Sequence, residues 1–466
     1  MEKKITVKDF IKNTKGKLII GEENQVFDKF CYDTRKIEID DVYIGLLGEK
    51  INGGIYWKDA FDKGAKAVIV QDISFTDEEI NNYKSQNKTI IQVENTLNAL
   101  GKIAKYKREL YDIPLIGVTG SVGKTSTKDI IANVVSQKYK TLKTEGNNNN
   151  HIGLPMTILR LRDEEAAVIE MGMNHFGEIE ALTNISKPTI AVITNIGTSH
   201  IGNLGSRENI LKAKLEILEG MKEKKIVINN DNDLLHKWYE ENKEKYEITT
   251  YGIHNESDYM AENIKLNENS SSFICKGKNY EISIQVPVGG EHFIYNSLCA
   301  LAVGKKLNLS DEQIIEGIKT FELTKKRMEI INLKNNITLI NDAYNASYES
   351  IKEALKYITN MEKGRKIAVL GDVLELGDFS KQLHEEIGKE VANQNIDILI
   401  CCGENAKYIY EKALECGMKT ENLYYENNAE SVLKRIEEVM QKDDVILLKA
   451  SNGMKFYDIA NNLIKK

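Results

Sequence analysis

Thr119-Gly120-Ser121-Val122-Gly123-Lys124-Thr125-Ser126 lies between an apolar run, Pro114-Leu115-Ile116-Gly117-Val118, and the segment Thr127-Lys128-Asp129-Ile130-Ile131-Ala132-Asn133-Val134-Val135. The run reads as a buried strand and the later segment as a helix, so the glycine loop opens a helix N-terminus and makes a phosphate cradle. Glycines let backbone N–H groups approach an anion. The helix dipole adds partial positive charge, Lys124 a full one, and Thr125 a hydroxyl for a magnesium ion. Residues 120–126 are therefore the candidate binders of a nucleoside triphosphate, Gly120, Ser121, Val122, Gly123, Lys124, Thr125 and Ser126. The full phosphate-loop pattern asks for glycine where Val118 stands, and Gly117 lies one position earlier. The alternative is a glycine turn carrying a chance Gly-Lys-Thr; the strand before and the helix after favour the cradle.

Working outward, buried strand-like runs recur at 166–169, 189–193 and 225–228, with helical segments between them. Such alternation predicts a mainly parallel sheet with ligands at the carboxyl ends of its strands. Residues 248–288 read as short strands, and a helix follows at about 294–306. From about residue 324 a second series of strands (337–340, 366–370, 396–400, 445–448) alternates with helices and reads as a smaller doubly wound unit. Before the phosphate loop, strands at 65–70 and 89–93 and a helix from 97 belong to a first mixed unit. The expected fold is α/β in three domains: a small N-terminal domain over 1–110, a central phosphate-loop ATPase domain over 111–324, and a C-terminal Rossmann-like domain over 325–466.

Bulk properties agree with that plan. The chain has 466 residues, 41% hydrophobic and 29% charged, too many for one ordinary core. No run approaches the roughly 18 apolar residues that span a bilayer. The start, Met1-Glu2-Lys3-Lys4-Ile5, lacks the apolar stretch of a secretion signal, so the expectation is a cytoplasmic protein without membrane insertion. The six cysteines form no C-x-x-C pair, which argues against zinc and a disulfide framework. A net charge of −7, from 63 basic and 70 acidic residues, without a basic tract, argues against nucleic acid.

Further candidates sit at strand ends. Glu170 ends the 166–169 run, where a carboxylate can reach a magnesium ion. His200, in Thr194-Asn195-Ile196-Gly197-Thr198-Ser199-His200, is either a second metal ligand or a local hydrogen-bonding group. Lys214 lies on an amphipathic helix, where composition alone favours a solvated side chain. The Asn147-Asn148-Asn149-Asn150 run offers amides that donate and accept, suited to a polar substrate, or else an exposed turn.

Taken in order, these segments resemble the Mur ligases, the ATP-dependent amide-forming enzymes of peptidoglycan precursor synthesis, over nearly the whole chain. The resemblance rests on Asp33-Thr34-Arg35, the phosphate loop, 194–200 with Gly205-Ser206 and Ala213-Lys214-Leu215-Glu216-Ile217, Asp342-Ala343-Tyr344-Asn345-Ala346, and Val369-Leu370-Gly371-Asp372-Val373-Leu374-Glu375-Leu376-Gly377. The last stretch is similar to that of the branch whose incoming amine is D-alanyl-D-alanine and whose acceptor is a UDP-N-acetylmuramoyl-tripeptide. The resemblance implies ATP and Mg2+ as cofactors, with Glu170, His200 and Lys214 helping to hold the metal beside Thr125. It also implies a CO2-derived carbamate on Lys214 and catalytic roles for Lys124, Glu170, His200 and Lys214. Asn296, Arg327, Asp342 and Asn345 are implied nucleotide contacts. Asp33, Thr34 and Arg35 would bind the uridine nucleotide, and Asn148, Asn149, Lys449 and Ser451 the rest of the substrates. A monomer is expected. The chain departs from the family pattern at His292-Phe293, Ser347-Tyr348 and Asn452. Alternatives are a sister ligase adding a single amino acid and a regulatory phosphate-loop NTPase.

Overall fold

Residues 3–48, 50–323 and 326–465 are described in a computed structural model of the chain. The expected junction at residues 324 and 325 lies outside the described residues, as do Met1 and Glu2.

The phosphate loop leaves the middle of a nine-stranded sheet. Leu115–Thr119 is flanked by Ala166–Glu170 and then Thr141–Lys143 on one side, and by Ile190–Ile193, Lys225–Asn229, Glu247–Gly252 and Tyr259–Asn267 on the other. All these pairings are parallel. The hairpin strands Ser270–Gly277 and Tyr280–Val286 extend the sheet antiparallel. Leu115–Thr119, Ala166–Glu170 and Ile190–Ile193 are buried throughout, as expected of parallel strands covered by helices on both faces. Helix Lys124–Val135 packs against Glu291–Lys306, whose side chains from Phe293 to Gly304 are nearly all buried. The chain passes from Leu115–Thr119 to one side of the sheet and later returns to the other. This makes a topological switch point at the carboxyl end of that strand, where the crevice opens.

The first unit carries a five-stranded sheet in the order Lys17–Ile20, Thr89–Gln92, Ala67–Val70, Val42–Ile44, Phe30–Cys31, parallel except for its first pair. Helix Thr96–Glu109, capped by the Asn95 side chain, leads out of it. Buried Arg108 at its end donates to the carbonyls of Ser186 (2.8 Å), Tyr111 (2.6 Å) and Ile113 (3.0 Å), fastening the helix to the central unit.

The third unit has six strands in the order Glu329–Asn332, Thr338–Asn341, Val445–Lys449, Lys366–Gly371, Ile398–Cys402, Leu423–Glu426, parallel except for the first pair. Its four inner strands are those the apolar runs predict. The outer two, Glu329–Asn332 and Leu423–Glu426, are half-exposed edges whose short, mixed sequences carry no strand signal. Among the described residues no helix is long and apolar enough to cross a membrane.

Candidate active site

A cleft of about 670 Å³ opens at the switch point, between the phosphate loop and the strand ends of the third unit. The loop is built from its sequence upward. Gly120 has φ 153° and Gly123 φ 80°, and a Cβ on Gly120 would overlap the Thr194 hydroxyl, so a side chain there would close the turn. Asn195 holds the loop from the neighbouring strand end: its Oδ1 accepts the N–H of Ser121 (3.1 Å) and of Val122 (2.9 Å). The Thr194 hydroxyl donates to the Val122 carbonyl (2.8 Å). Lys124 opens the helix and curls back onto the carbonyls of Gly120 (2.8 Å) and Ser121 (3.2 Å). Burial pushes its ammonium down from the usual lysine value, and Arg327 across the cleft adds to that while Glu170 opposes it. An anion that replaces lost hydration is what such a group lacks.

Glu170 is nearly fully buried yet satisfied. One carboxylate oxygen accepts the Thr125 hydroxyl (2.8 Å) and the other the Asn149 side-chain amide (2.8 Å). The asparagine run is thus no mere exposed turn: Asn149 turns inward, and only 147, 149 and 150 line the cleft. Among the described residues no three His, Cys, Asp or Glu side chains cluster as a metal cage. The Thr125 hydroxyl and the Glu170 carboxylate are hard oxygen donors side by side at the phosphate loop. They fit a magnesium ion that takes its remaining ligands from water and phosphate.

Lys214 overturns its composition-based expectation of solvation. In the last turn of helix Arg207–Leu215 it is 2% exposed, without a hydrogen-bond or ion-pair partner among the described residues. Desolvation, with the Lys124 charge adding to it, pushes its amine well below the ordinary value of 10.5. A lowered pKa favours the free amine, which is the nucleophilic form, and Lys214 is not among the residues that line the cleft. His200 lines the cleft with φ 64°, its Nδ1 2.6 Å from Glu375 Oε2 but poorly angled for a hydrogen bond. The imidazole holds the Glu375 carboxyl below its ordinary value.

The third unit closes the other wall. The Arg327 guanidinium stacks over Tyr344, 4.1 Å from the ring centroid. Buried Lys449 pairs with Asp342 and donates to the Asn345 carbonyl (3.2 Å), tying together the two strand ends that carry them. Asn296 accepts the Thr127 hydroxyl (2.9 Å) at the base of the cleft.

The cleft thus gathers residues 121–126, Asn149, Glu170, His200, Asn296, Arg327, Asp342, Asn345 and Lys449. Gly120, Asn148, Lys214 and Ser451 are not part of its lining. The Ser451 hydroxyl accepts the Leu374 N–H (2.9 Å) and so shapes the 371–377 loop. Asp33, Thr34 and Arg35 lie apart, on the first unit. There Asp33 caps the turn Thr34–Lys36 and pairs with the exposed Arg35 (2.8 Å), which keeps its carboxyl low at about 2. Sequence reasoning passed over Asn195 and Glu349. Asn195 carried a signal, an amide just past the end of a buried strand beside the switch point. Glu349 carried none, because its partner Thr198 is 151 residues away.

Three family models match consecutive parts of the chain: Mur ligase family, catalytic domain over residues 30–108; Mur ligase middle domain over 118–304; and Mur ligase, glutamate ligase domain over 326–452. The chain is 38% identical over 99% of both chains to the UDP-N-acetylmuramoyl-tripeptide--D-alanyl-D-alanine ligase of Bacillus subtilis (strain 168). Among solved structures it resembles MurF from Acinetobacter baumannii, with a TM-score of 0.88, 28% identity and all of both chains covered. It also resembles MurF ligase from Thermotoga maritima in complex with ADP, with a TM-score of 0.81, 26% identity, and 94% of this chain and 97% of that one covered.

Proposed function

The chain belongs to the Mur ligase family, and on that premise we propose that it joins D-alanyl-D-alanine to a UDP-N-acetylmuramoyl-tripeptide. In this reading it is an ADP-forming peptide ligase of peptidoglycan precursor synthesis, working through an acyl phosphate. The observation that carries the reading is the end-to-end match, through all three units, to relatives of that name and to MurF structures. Residues 1–110 hold the nucleotide-sugar handle, 111–324 the ATP, and 325–466 the incoming dipeptide together with part of the ATP. The enzyme acts as a cytoplasmic monomer.

The first step brings two anions together, a substrate carboxylate and the γ-phosphate of ATP. Lys124, the N–H groups of residues 123–126 and the helix N-terminus are placed to lower that repulsion. Arg327 supplies a further charge from the opposite wall. Thr125, Glu170 and His200 would hold magnesium, which when bound would supply positive charge to offset that of the two anions. Lys214, whose amine burial pushes well below its ordinary value, would add CO2 through its nitrogen electron pair with release of a proton to solvent; the carbamate would turn a buried amine into an anionic partner for that ion. Asn296 lies at the nucleotide end, and Asp342 and Asn345 reach it from the third unit. Asn149 steers Glu170 directly, with Asn148 behind it. Lys449 and Ser451 fix the strand end and loop that face the dipeptide, and Asp33, Thr34 and Arg35 meet the uridine nucleotide. Closure of the third unit over ATP excludes water from the acyl phosphate.

The test is ADP release with ATP, magnesium and UDP-muramoyl-tripeptide, with and without D-alanyl-D-alanine, the product being weighed by mass spectrometry. Dipeptide-dependent ADP release with a pentapeptide product is expected, and Lys124→Ala should abolish it while leaving the fold intact. ADP release indifferent to both peptide substrates would refute the reading, as would a product formed only with a single amino acid.

A further inference from the structure

The segment 195–202 touches two units at once. Toward the phosphate loop, Asn195 accepts from Ser121 and Val122, the Gly197 N–H donates to the Ser121 hydroxyl (2.9 Å), and the Ser199 hydroxyl donates to the Ser121 carbonyl (3.3 Å). Toward the third unit, the Thr198 N–H and hydroxyl donate to the two carboxylate oxygens of Glu349, at 2.6 and 3.2 Å. The Gly202 N–H donates to the Glu375 carbonyl (3.2 Å), and a Cβ on Gly202 would come within 2.5 Å of the Gly377 nitrogen. Glu349 stands in the first turn of helix Tyr348–Thr359, whose start is fixed by a Ser347–Ser350 capping box. No cation pairs with it among the described residues. The nearby Arg207 is committed to Asp233 (2.8 and 2.5 Å) and to the Ile196 carbonyl (2.8 Å). A carboxylate at the rim of a cleft built for anions is unfavourable unless donors fix it, and Thr198 supplies them. The approach is possible because residue 197 is glycine: the three atoms nearest a Cβ there all belong to the Glu349 carboxylate, the closest at 2.6 Å.

We propose that Glu349 is a positioning residue that fastens the third unit to the segment 195–202, and through Ser121 sets the phosphate loop for transfer. The kinetic part of this inference rests on the ligase reading; the contact itself does not. Two measurements on the full chain separate them. Hydrogen exchange by mass spectrometry, without ligands, reads the amides of 197–202. Steady-state ligation reads kcat and the KM for ATP. The variants are Glu349→Ala, Glu349→Gln, Gly197→Ala and the double variant G197A/E349A.

In Glu349→Ala and in Gly197→Ala, whose Cβ displaces the carboxylate, exchange should quicken about tenfold and kcat fall about tenfold, the loss of about 1.4 kcal/mol. The KM for ATP should stay within about threefold, because the phosphate contacts themselves survive. Glu349→Gln keeps an oxygen for the Thr198 N–H and should recover most of both losses. The double variant should be no worse than the poorer single one, since both changes remove one contact. Unchanged exchange or unchanged kcat in Glu349→Ala would overturn the proposal. So would single losses that multiply in the double variant, or a Gln variant no better than Ala. If the wild-type protein makes no pentapeptide product, the ligase reading fails while the exchange comparison still decides the contact.

Discussion

Replacing Lys214 by methionine should make the protein more stable and nearly inactive. The side chain is 2% exposed and its amine has no partner among the described residues, while desolvation holds it far below its ordinary value. A buried polar group without a hydrogen bond costs about 1–3 kcal/mol, and a swap that conserves volume costs under about 1.5 kcal/mol. The net expectation is a gain of about 1 kcal/mol in the absence of bicarbonate. Its pH dependence has a definite sign. Between the lowered folded pKa and 10.5 the unfolded chain binds one more proton than the folded one. Stability contributed at this site therefore rises with pH through that window, and the penalty of keeping lysine is full below it. The methionine variant's advantage is accordingly largest below that window and shrinks as pH rises toward 10.5. Urea unfolding of wild type and variant across that range, with CO2 excluded, measures it. Ligation should fall by about two orders of magnitude, the scale of losing one group that stabilises transition-state charge. Lys214→Ala, which leaves room, should regain part of its activity with short carboxylates. Wild type given labelled bicarbonate should show one carbamate by NMR, and Lys214→Met none. A methionine variant that is both fully active and less stable than wild type would refute the reasoning.

Asn195→Ala should leave the Val122 N–H without its acceptor, while the Ser121 N–H keeps the Asn195 carbonyl (3.1 Å), and raise the KM for ATP about tenfold, with little change in thermal midpoint, as titration with ATP will read. One half-buried histidine, His292, and one buried one, His384, should make the protein acid-labile. His292 is pushed down to about 4 by burial. His384 is lowered by burial too, accepting the Val373 N–H on Nε2 (3.1 Å) while Nδ1 faces the Ser380 carbonyl (2.7 Å). Both are neutral when folded, so the unfolded chain takes up more protons and stability falls as pH drops from 6.5 toward about 4. For His292 the full effect is at most about 3 kcal/mol, and urea midpoints across that window should show the decline. His384→Gln should flatten part of it.

The strands of the central sheet were legible because each is a short, wholly apolar run bounded by turns, and burial on both faces leaves no other reading for such runs. The phosphate loop was legible for a related reason. Its glycines, lysine and hydroxyl act from one contiguous stretch, so spacing along the chain is already spacing in space. Glu170 inherited its position from the same logic, being the last residue of a strand parallel to the one that feeds the loop. The edge strands Glu329–Asn332 and Leu423–Glu426 escaped, because an edge buries too little for a pattern to be required of it.

By itself, then, the sequence determined the alternating α/β architecture, the place of the phosphate cradle and the candidate carboxylate at the neighbouring strand end. These follow from local periodicity and from backbone chemistry carried by adjacent residues. Only the tertiary structure decided that Lys214 is buried and unpartnered, that Asn149 turns inward to Glu170, that Asn195 holds the loop, and that Glu349 reaches Thr198 from a different unit. Desolvation depends on everything packed around a group, and the convergence of side chains far apart along the chain depends on how whole units meet. Neither quantity is written in any single stretch.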